Sequence, residues 1–256
     1  VYKRQVESGI VSCNIGTSGV VFAHTETPRA DAKGRVHTFC HAVRVKWHVM
    51  GVTQGAGLSM KWFKDHFYAE QAKETDDIYA IVNADIASVP VGCEGLLYLP
   101  YLMGERSPHN NPDARGTFIG LTMDTTREDM TQAVLEGVAF AIRDSFEVAK
   151  SLGIQIERTK ICGGGAKSPL WRRMIANVLN IKVDRIESEE GPALGGAMLA
   201  AVACGVFSSV EEAAEKIVRV TETIEPEPEL VEKYERQYQK FAKIYPTVKD
   251  LFTELL

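Results

Sequence analysis

The chain has 256 residues, 45% hydrophobic and 25% charged, with a net charge of −5. That length supports one large domain or two modest ones around a substantial core. The acidic balance argues against nucleic-acid or membrane-surface binding, no apolar run approaches a membrane span, and the opening VYKRQVESG has no signal-like apolar stretch.

Five cysteines, at 13, 40, 93, 162 and 204, are odd in number and contain no CxxC pair. They fit reduced thiols in a cytoplasmic protein. The chain opens on Val and runs almost directly into its first strand. A fragment is therefore expected, with residues 1–5 foreign to it.

In chain order, residues 10–23 predict two strands around the turn Gly16-Thr17-Ser18-Gly19. A turn at 31–35 precedes 36–52, rich in β-branched and aromatic residues, which reads as one or two strands. Residues 55–71 predict a helix, with Leu58, Trp62, Phe63 and Phe67 at helical spacing, and a second helix ends before Pro90. A buried strand at 95–102 gives way to a loop at 103–116 rich in Gly, Pro and Asn, and a short strand follows at 116–121.

The strongest helix follows. Thr126 and Asp129 offer a capping box, Met130, Val134, Val138 and Ile142 form a stripe, and Gly153 ends it. Then come a strand at 159–165, a helix at 168–180, a strand at 182–186, and helices at 191–205 and 208–218. An acidic connector at 224–229 leads to a terminal helix that Pro246 is expected to break. Strand pairs followed by alternating helices and strands predict an α/β fold, a mixed sheet flanked by helices.

Several segments could carry chemistry. Successive N–H groups in the GTSG turn, with the hydroxyls of Thr17 and Ser18, suit phosphate oxygens. Taken alone, the turn reads more readily as a polar hairpin tip, since turns are rich in Gly and Ser. In ICGGGAKSP a strand enters three glycines and a helix follows, with Ser168 placed to N-cap and Pro169 at N1. Such a junction lets a ligand approach backbone and helix N-terminus, and it is neither a Walker loop nor GxGxxG. Ala193, Ala197, Ala200 and Cys204 form a small-residue face expected to pack behind the glycines. His37 and His41 have the i, i+4 spacing of a helical zinc pair, but they fall in a segment that reads as strand, which argues against a metal. Glu105 and Arg106 read as an ion pair fixing their loop.

Together these segments resemble the C-terminal domain of the FGGY family of carbohydrate kinases, sugar kinases with the actin/hexokinase-like (ribonuclease H-like) ATPase fold. The stretch GTFIGLTMDTTREDMTQAVLE (116–136) carries the resemblance most specifically, and GTSG, GAGLSMKW, PYLMGERSPHNNPDARG and GGGAKSPLWRRMIANVL stand in the family's order. One departure is Arg44-Val45, where the family pattern has Pro-Gly before Lys46-Trp47-His48.

The resemblance extends from about Val6 to the terminal helix and implies one domain, 1–256, forming the nucleotide side of a kinase. ATP and Mg²⁺ are the implied cofactors and a small-molecule sugar the substrate. Thr17 with Gly16 would contact the β- and γ-phosphates, Gly57 and Lys61 would lie near the nucleotide, Gly164, Gly165 and Ala166 would approach the α-phosphate and ribose, and Ser168 and Pro169 would flank the adenine. The family's general base, an Asp shortly upstream of the GTSG hairpin, has no counterpart here, since Glu7 does not match. The sugar site and first phosphate loop belong to an N-terminal domain missing from this chain, so no catalytic residue is assigned. The rival readings are a different sugar kinase of the family, such as a gluconokinase or ribulokinase, and a stand-alone, non-catalytic nucleotide-binding module. A homodimer through the terminal helix is one arrangement; packing on its own domain is the other.

Overall fold

The computed structural model describes residues 9–188 and 191–255. The expectation about residues 1–5 lies outside them. The chain forms strands β1 Gly9–Ile15, β2 Gly19–Thr25, β3 His37–Cys40 and β4 Trp47–Thr53, then helices α1 Gly57–Phe67, α2 Gln71–Glu74 and α3 Ile78–Asp85. Next come β5 Leu97–Leu99, β6 Thr117–Ile119, α4 Arg127–Ser151, β7 Ile156–Cys162, α5 Pro169–Leu179 and β8 Lys182–Ile186. Helices α6 Gly191–Ala203 and α7 Val210–Ile217, strand β9 Val220–Ile224 and helix α8 Pro228–Glu254 complete it.

Seven strands form one mixed sheet in the order β3-β4-β2-β1-β7-β8-β9. Strands β1, β7 and β8 are parallel neighbours, while β2 runs antiparallel to β1 and β4. The outer strands β3 and β9 are antiparallel to their neighbours. The β5–β6 pair is a separate two-stranded ribbon.

The central helix α4 is set by its sequence. Thr126 accepts the Asp129 N–H, and the Asp129 carboxylate accepts the Thr126 N–H, closing the expected capping box. Of the stripe, Val134, Val138 and Ile142 are buried, together with Phe140 and Phe146. Burying such side chains contributes roughly 1.5–3 kcal/mol each. The helix spans the back of the sheet closely enough that a Cβ at Gly19 would meet Ile142, and one at Gly137 would lie 2.2 Å from the Tyr98 carbonyl oxygen.

Segment 36–52 forms two strands, and His41 falls beyond the first, in the connection to β4. Strand β9 has no counterpart among the predicted elements. Val-Thr-Glu-Thr-Ile is exposed along most of its length and pairs only at the sheet edge, so it lacks the apolar face that marks an inner strand. Helix α8 runs through Pro246 without a break. Pro246 and Ala242 sit on the exposed side, so the carbonyl deprived of its partner faces water. The Thr247 hydroxyl donates to the Lys243 carbonyl one position on. The apolar face of α8, with Tyr234, Tyr238, Phe241 and Ile244, is buried in its own domain.

All five cysteines are free. Among the described residues no helix is long and apolar enough to cross a membrane.

Candidate functional site: a cleft at the carboxyl ends of β1 and β7

Two neighbouring parallel strands, β1 and β7, end side by side, with Asn14 in register with Cys162. A glycine-rich segment leaves each. Open α/β sheets place ligands in the crevice beyond such carboxyl ends.

The first segment is the GTSG turn. It is tied to the start of α1: Gly57 N–H donates to the Gly16 carbonyl over 2.8 Å and Leu58 N–H to the Thr17 carbonyl over 3.1 Å. Two donors that usually lack partners at a helix start are thus taken by the turn. A Cβ at Gly57 would stand 2.4 Å from the Gly16 oxygen, so this junction admits only glycine without movement. Thr17 is exposed on the turn.

The second segment begins at Gly163, whose φ of +90° and a would-be Cβ 2.5 Å from Asn14 Oδ1 both require glycine. A Cβ at Gly165 would run into Ile15 and Trp171, at 2.4 and 2.8 Å. Gly164 differs: nothing lies within 4 Å of where its Cβ would be, and it is exposed. After a 3-10 turn at Gly164–Lys167, Ser168 caps α5 by accepting the Trp171 N–H, with Pro169 at N1 as its sequence predicts. Arg172, 3% exposed, holds the turn from behind. Its guanidinium donates to the carbonyls of Ala166 and Lys167 and to Glu222 of β9.

The face of α6 expected to give that support is exposed at Ala193, Ala197, Ala200 and Cys204. Gly191, Gly195 and Met198 turn inward instead, and Met198 clusters with Ala213 and Ala214 of α7.

Between the two segments lies a cavity of about 760 Å³, within the range of small-molecule sites. Buried Met60, Val82, Leu135 and Trp171 supply apolar lining, and Thr17, Lys61, Asp77 and Asn83 supply polar groups. Of the residues singled out from the sequence, Gly16, Thr17, Gly57, Lys61, Gly164, Gly165 and Ser168 line it. Ser18, Ala166 and Pro169 do not stand among its lining residues. The Ser18 carbonyl accepts the Gly16 N–H, Ala166 is buried beneath the turn with its carbonyl on Arg172, and Pro169 begins α5. The Lys61 ammonium is held by Asp65 at 2.6 Å along α1.

Sequence reasoning missed the wall formed by α3. Asp77, Tyr79, Ala80 and Asn83 come from this helix. Its start carries a visible signal, since Asp77 accepts the Ala80 N–H as N-cap. Nothing local tells which side of so short a helix fronts a cavity.

Glu105 fixes its loop, but without an ion pair to Arg106. Its carboxylate accepts from the Thr53 hydroxyl, from Gln54 N–H at 3.0 Å and from Arg106 N–H at 2.7 Å, just before the turn into α1. Burial pushes its pKa up to about 7 against these hydrogen bonds. The Arg106 side chain instead donates to His37 Nε2 over 2.8 Å, and His41 Nδ1 accepts the Val43 N–H. Nearby, Val45 is 82% exposed and held at φ +59°. Glycine takes this conformation freely, and a β-branched residue does not.

The chain matches the model of the FGGY family of carbohydrate kinases, C-terminal domain, over residues 11–204, and it belongs to that family. Its mixed α/β architecture is the actin/hexokinase-like ATPase fold. It is 38% identical to the xylulose kinase of Bacillus subtilis over 250 residues, 98% of this chain and 49% of that protein. To the gluconokinase of the same organism it is 33% identical over 83% of this chain and 42% of that protein. The crystal structure of a xyloylose kinase from Brucella ovis superimposes with a TM-score of 0.85 at 33% identity, covering 97% of this chain and 49% of that one. The chain thus spans about half the length of the curated relatives it matches.

Proposed function

We propose that residues 1–256 are the nucleotide-side domain of an ATP-dependent sugar kinase. The complete, cytoplasmic enzyme transfers the γ-phosphate of ATP to the 5-hydroxyl of D-xylulose. The observation that carries this reading is the single cavity shared by the GTSG turn and the 163–168 segment, part apolar and part polar, as a nucleoside phosphate requires. The similarity to xylulose kinases points to the sugar. The gluconokinase relative makes gluconate the second substrate to test.

In this proposal Thr17 and the turn backbone hold the outer phosphates, Gly164 lets the inner phosphate and ribose approach, and the apolar lining takes the base. The general base and sugar contacts belong to a preceding domain. Closure of that domain over the cleft excludes water and positions the acceptor hydroxyl. A homodimer would use surfaces other than the apolar face of α8, which is already covered. The lining offers one carboxylate, Asp77, whose Oδ1 is occupied by the Ala80 N–H. Among the described residues no cluster suits a metal ion. The residues here therefore form no cage for Mg²⁺, and no step is routed through it.

The test is calorimetric titration of the chain with ATP, alongside Thr17→Val. Among the described residues the Thr17 hydroxyl has no hydrogen bond to lose. Wild type should bind, and the variant should bind about five- to tenfold more weakly with an unchanged Tm. A wild-type chain that does not bind ATP refutes the proposal. In the complete enzyme, a preference for gluconate over D-xylulose would reassign the sugar.

A further inference from the structure

Asn83 stands on α3 one helical turn beyond Tyr79, and both line the cavity. Its amide is oriented by a short hydrogen-bond chain from α5. The Trp171 N–H donates to Ser168 Oγ over 3.2 Å, and the Ser168 hydroxyl donates its one O–H to Asn83 Oδ1 over 2.8 Å. The carbonyl end of the amide is thereby committed, and its NH₂ end is left as a pair of donors. Among the described residues Nδ2 has no hydrogen-bond partner. Buried Val82 and Trp171 lie beside it in the lining and offer apolar surface for a flat heterocycle.

Resting on the nucleotide reading above, we propose that Asn83 is the base-reading residue of this cleft, donating from Nδ2 to a ring nitrogen of the purine. Ser168 is its positioning residue. The hydroxyl that caps α5 also prevents the amide from presenting its oxygen, so a helix cap and a specificity element share one atom. A group fixed in this way discriminates sharply, because a ligand without the matching acceptor leaves the N–H unpaired. Tyr79, 48% exposed at the cavity edge, offers the same base an aromatic face.

The experiment is a chemical double-mutant cycle. Affinities of wild type, Asn83→Ala and Asn83→Leu are measured for ATP and for its 1-deaza, 3-deaza and 7-deaza analogues, each lacking one ring nitrogen. In wild type, one analogue should bind about five- to tenfold more weakly than ATP. In both variants that analogue and ATP should bind alike, while thermal melts show the variants folded. Identical analogue-to-ATP ratios in wild type and a folded variant would overturn the assignment of Asn83 while leaving the nucleotide reading intact. A wild-type chain that binds neither ATP nor any analogue overturns both. Should one variant fail to fold, the other completes the cycle. As a second readout, Ser168→Thr, which keeps the hydroxyl, should retain the analogue preference, and Ser168→Ala should blunt it.

Discussion

The Gly57 N–H donates to the Gly16 carbonyl over 2.8 Å, and the Gly57 Cα has no room for a Cβ, which would sit 2.4 Å from that oxygen. The turn between β1 and β2 and the first turn of α1 are therefore one piece. A Gly57→Ala substitution must push the turn away. It should cost about 1–3 kcal/mol, a fall of roughly 2–12 °C in Tm for a domain of this size. ATP affinity should fall with it. A variant melting with wild type would show that the junction yields easily.

The three glycines at 163–165 should separate cleanly by substitution. Gly163→Ala meets Asn14 and the Ile15 carbonyl in a left-handed conformation, and Gly165→Ala meets Ile15 and Trp171. Both should destabilise by about 1–3 kcal/mol. Gly164→Ala enters open space, and it should leave stability unchanged or raise it by up to about 1 kcal/mol. It places a methyl group where the proposed ligand approaches, so nucleotide affinity should drop tenfold or more. Denaturant titrations and calorimetry on the three variants check this. Equal stability across all three would contradict the packing described.

Val45 should be improvable. It is exposed, and its φ of +59° costs a β-branched residue about 1–2 kcal/mol. Glycine removes that strain but adds chain entropy on unfolding. Val45→Gly should therefore stabilise by about 0.5–1 kcal/mol, read as a raised urea midpoint at unchanged slope. A lowered midpoint would mean that the loop depends on the valine side chain.

Glu105 supplies a pH signature. Its folded pKa, about 7, lies above its ordinary 4.5, so the folded state holds more protons between those values. Its contribution is complete below pH 4.5 and is lost as pH rises toward 7. Half-buried His48 and His109, lowered to about 4 by desolvation, act in the opposite sense below pH 6.5 and partly mask this in wild type. Glu105→Gln isolates it. The variant's stability relative to wild type should improve from pH 4.5 to 7.5, by on the order of 3 kcal/mol at most. A difference independent of pH would show that Glu105 is ionised throughout.

Much of this architecture was legible because local signals agreed. The α4 capping box, the Ser168 cap with Pro169, and the two glycine-rich junctions are short-range patterns with one geometric outcome. The parts that escaped depend on distant partners. Strand β9 is exposed along most of its length, touches the core only through Ile224, and exists because β8 offers an edge. The lost N–H of Pro246 predicts a break, whereas the solvent-facing side of α8 absorbs that loss. The small size of the α6 residues predicts packing, yet that face is exposed and Met198 anchors the helix. At the cleft, Gly57 and Lys61 were legible from the family pattern. The role of α3 was not, because it depends on where a helix residue 85 positions upstream meets Ser168.

Strands β1 and β7 share a parallel ladder up to Asn14 and Cys162. Adjacent strands stand about 4.8 Å apart, so the spacing between the two glycine-rich segments is a ruler graduated by backbone hydrogen bonds. Substitutions on the segments can roughen or smooth the cleft without changing its gauge. Altering the gauge would require another strand between β1 and β7, and a one-residue slip of β7 along β1 would leave the gauge alone while turning Ile161 out of the core. A directed-evolution campaign confined to the loops would therefore explore cleft shape at a constant spacing between the two segments.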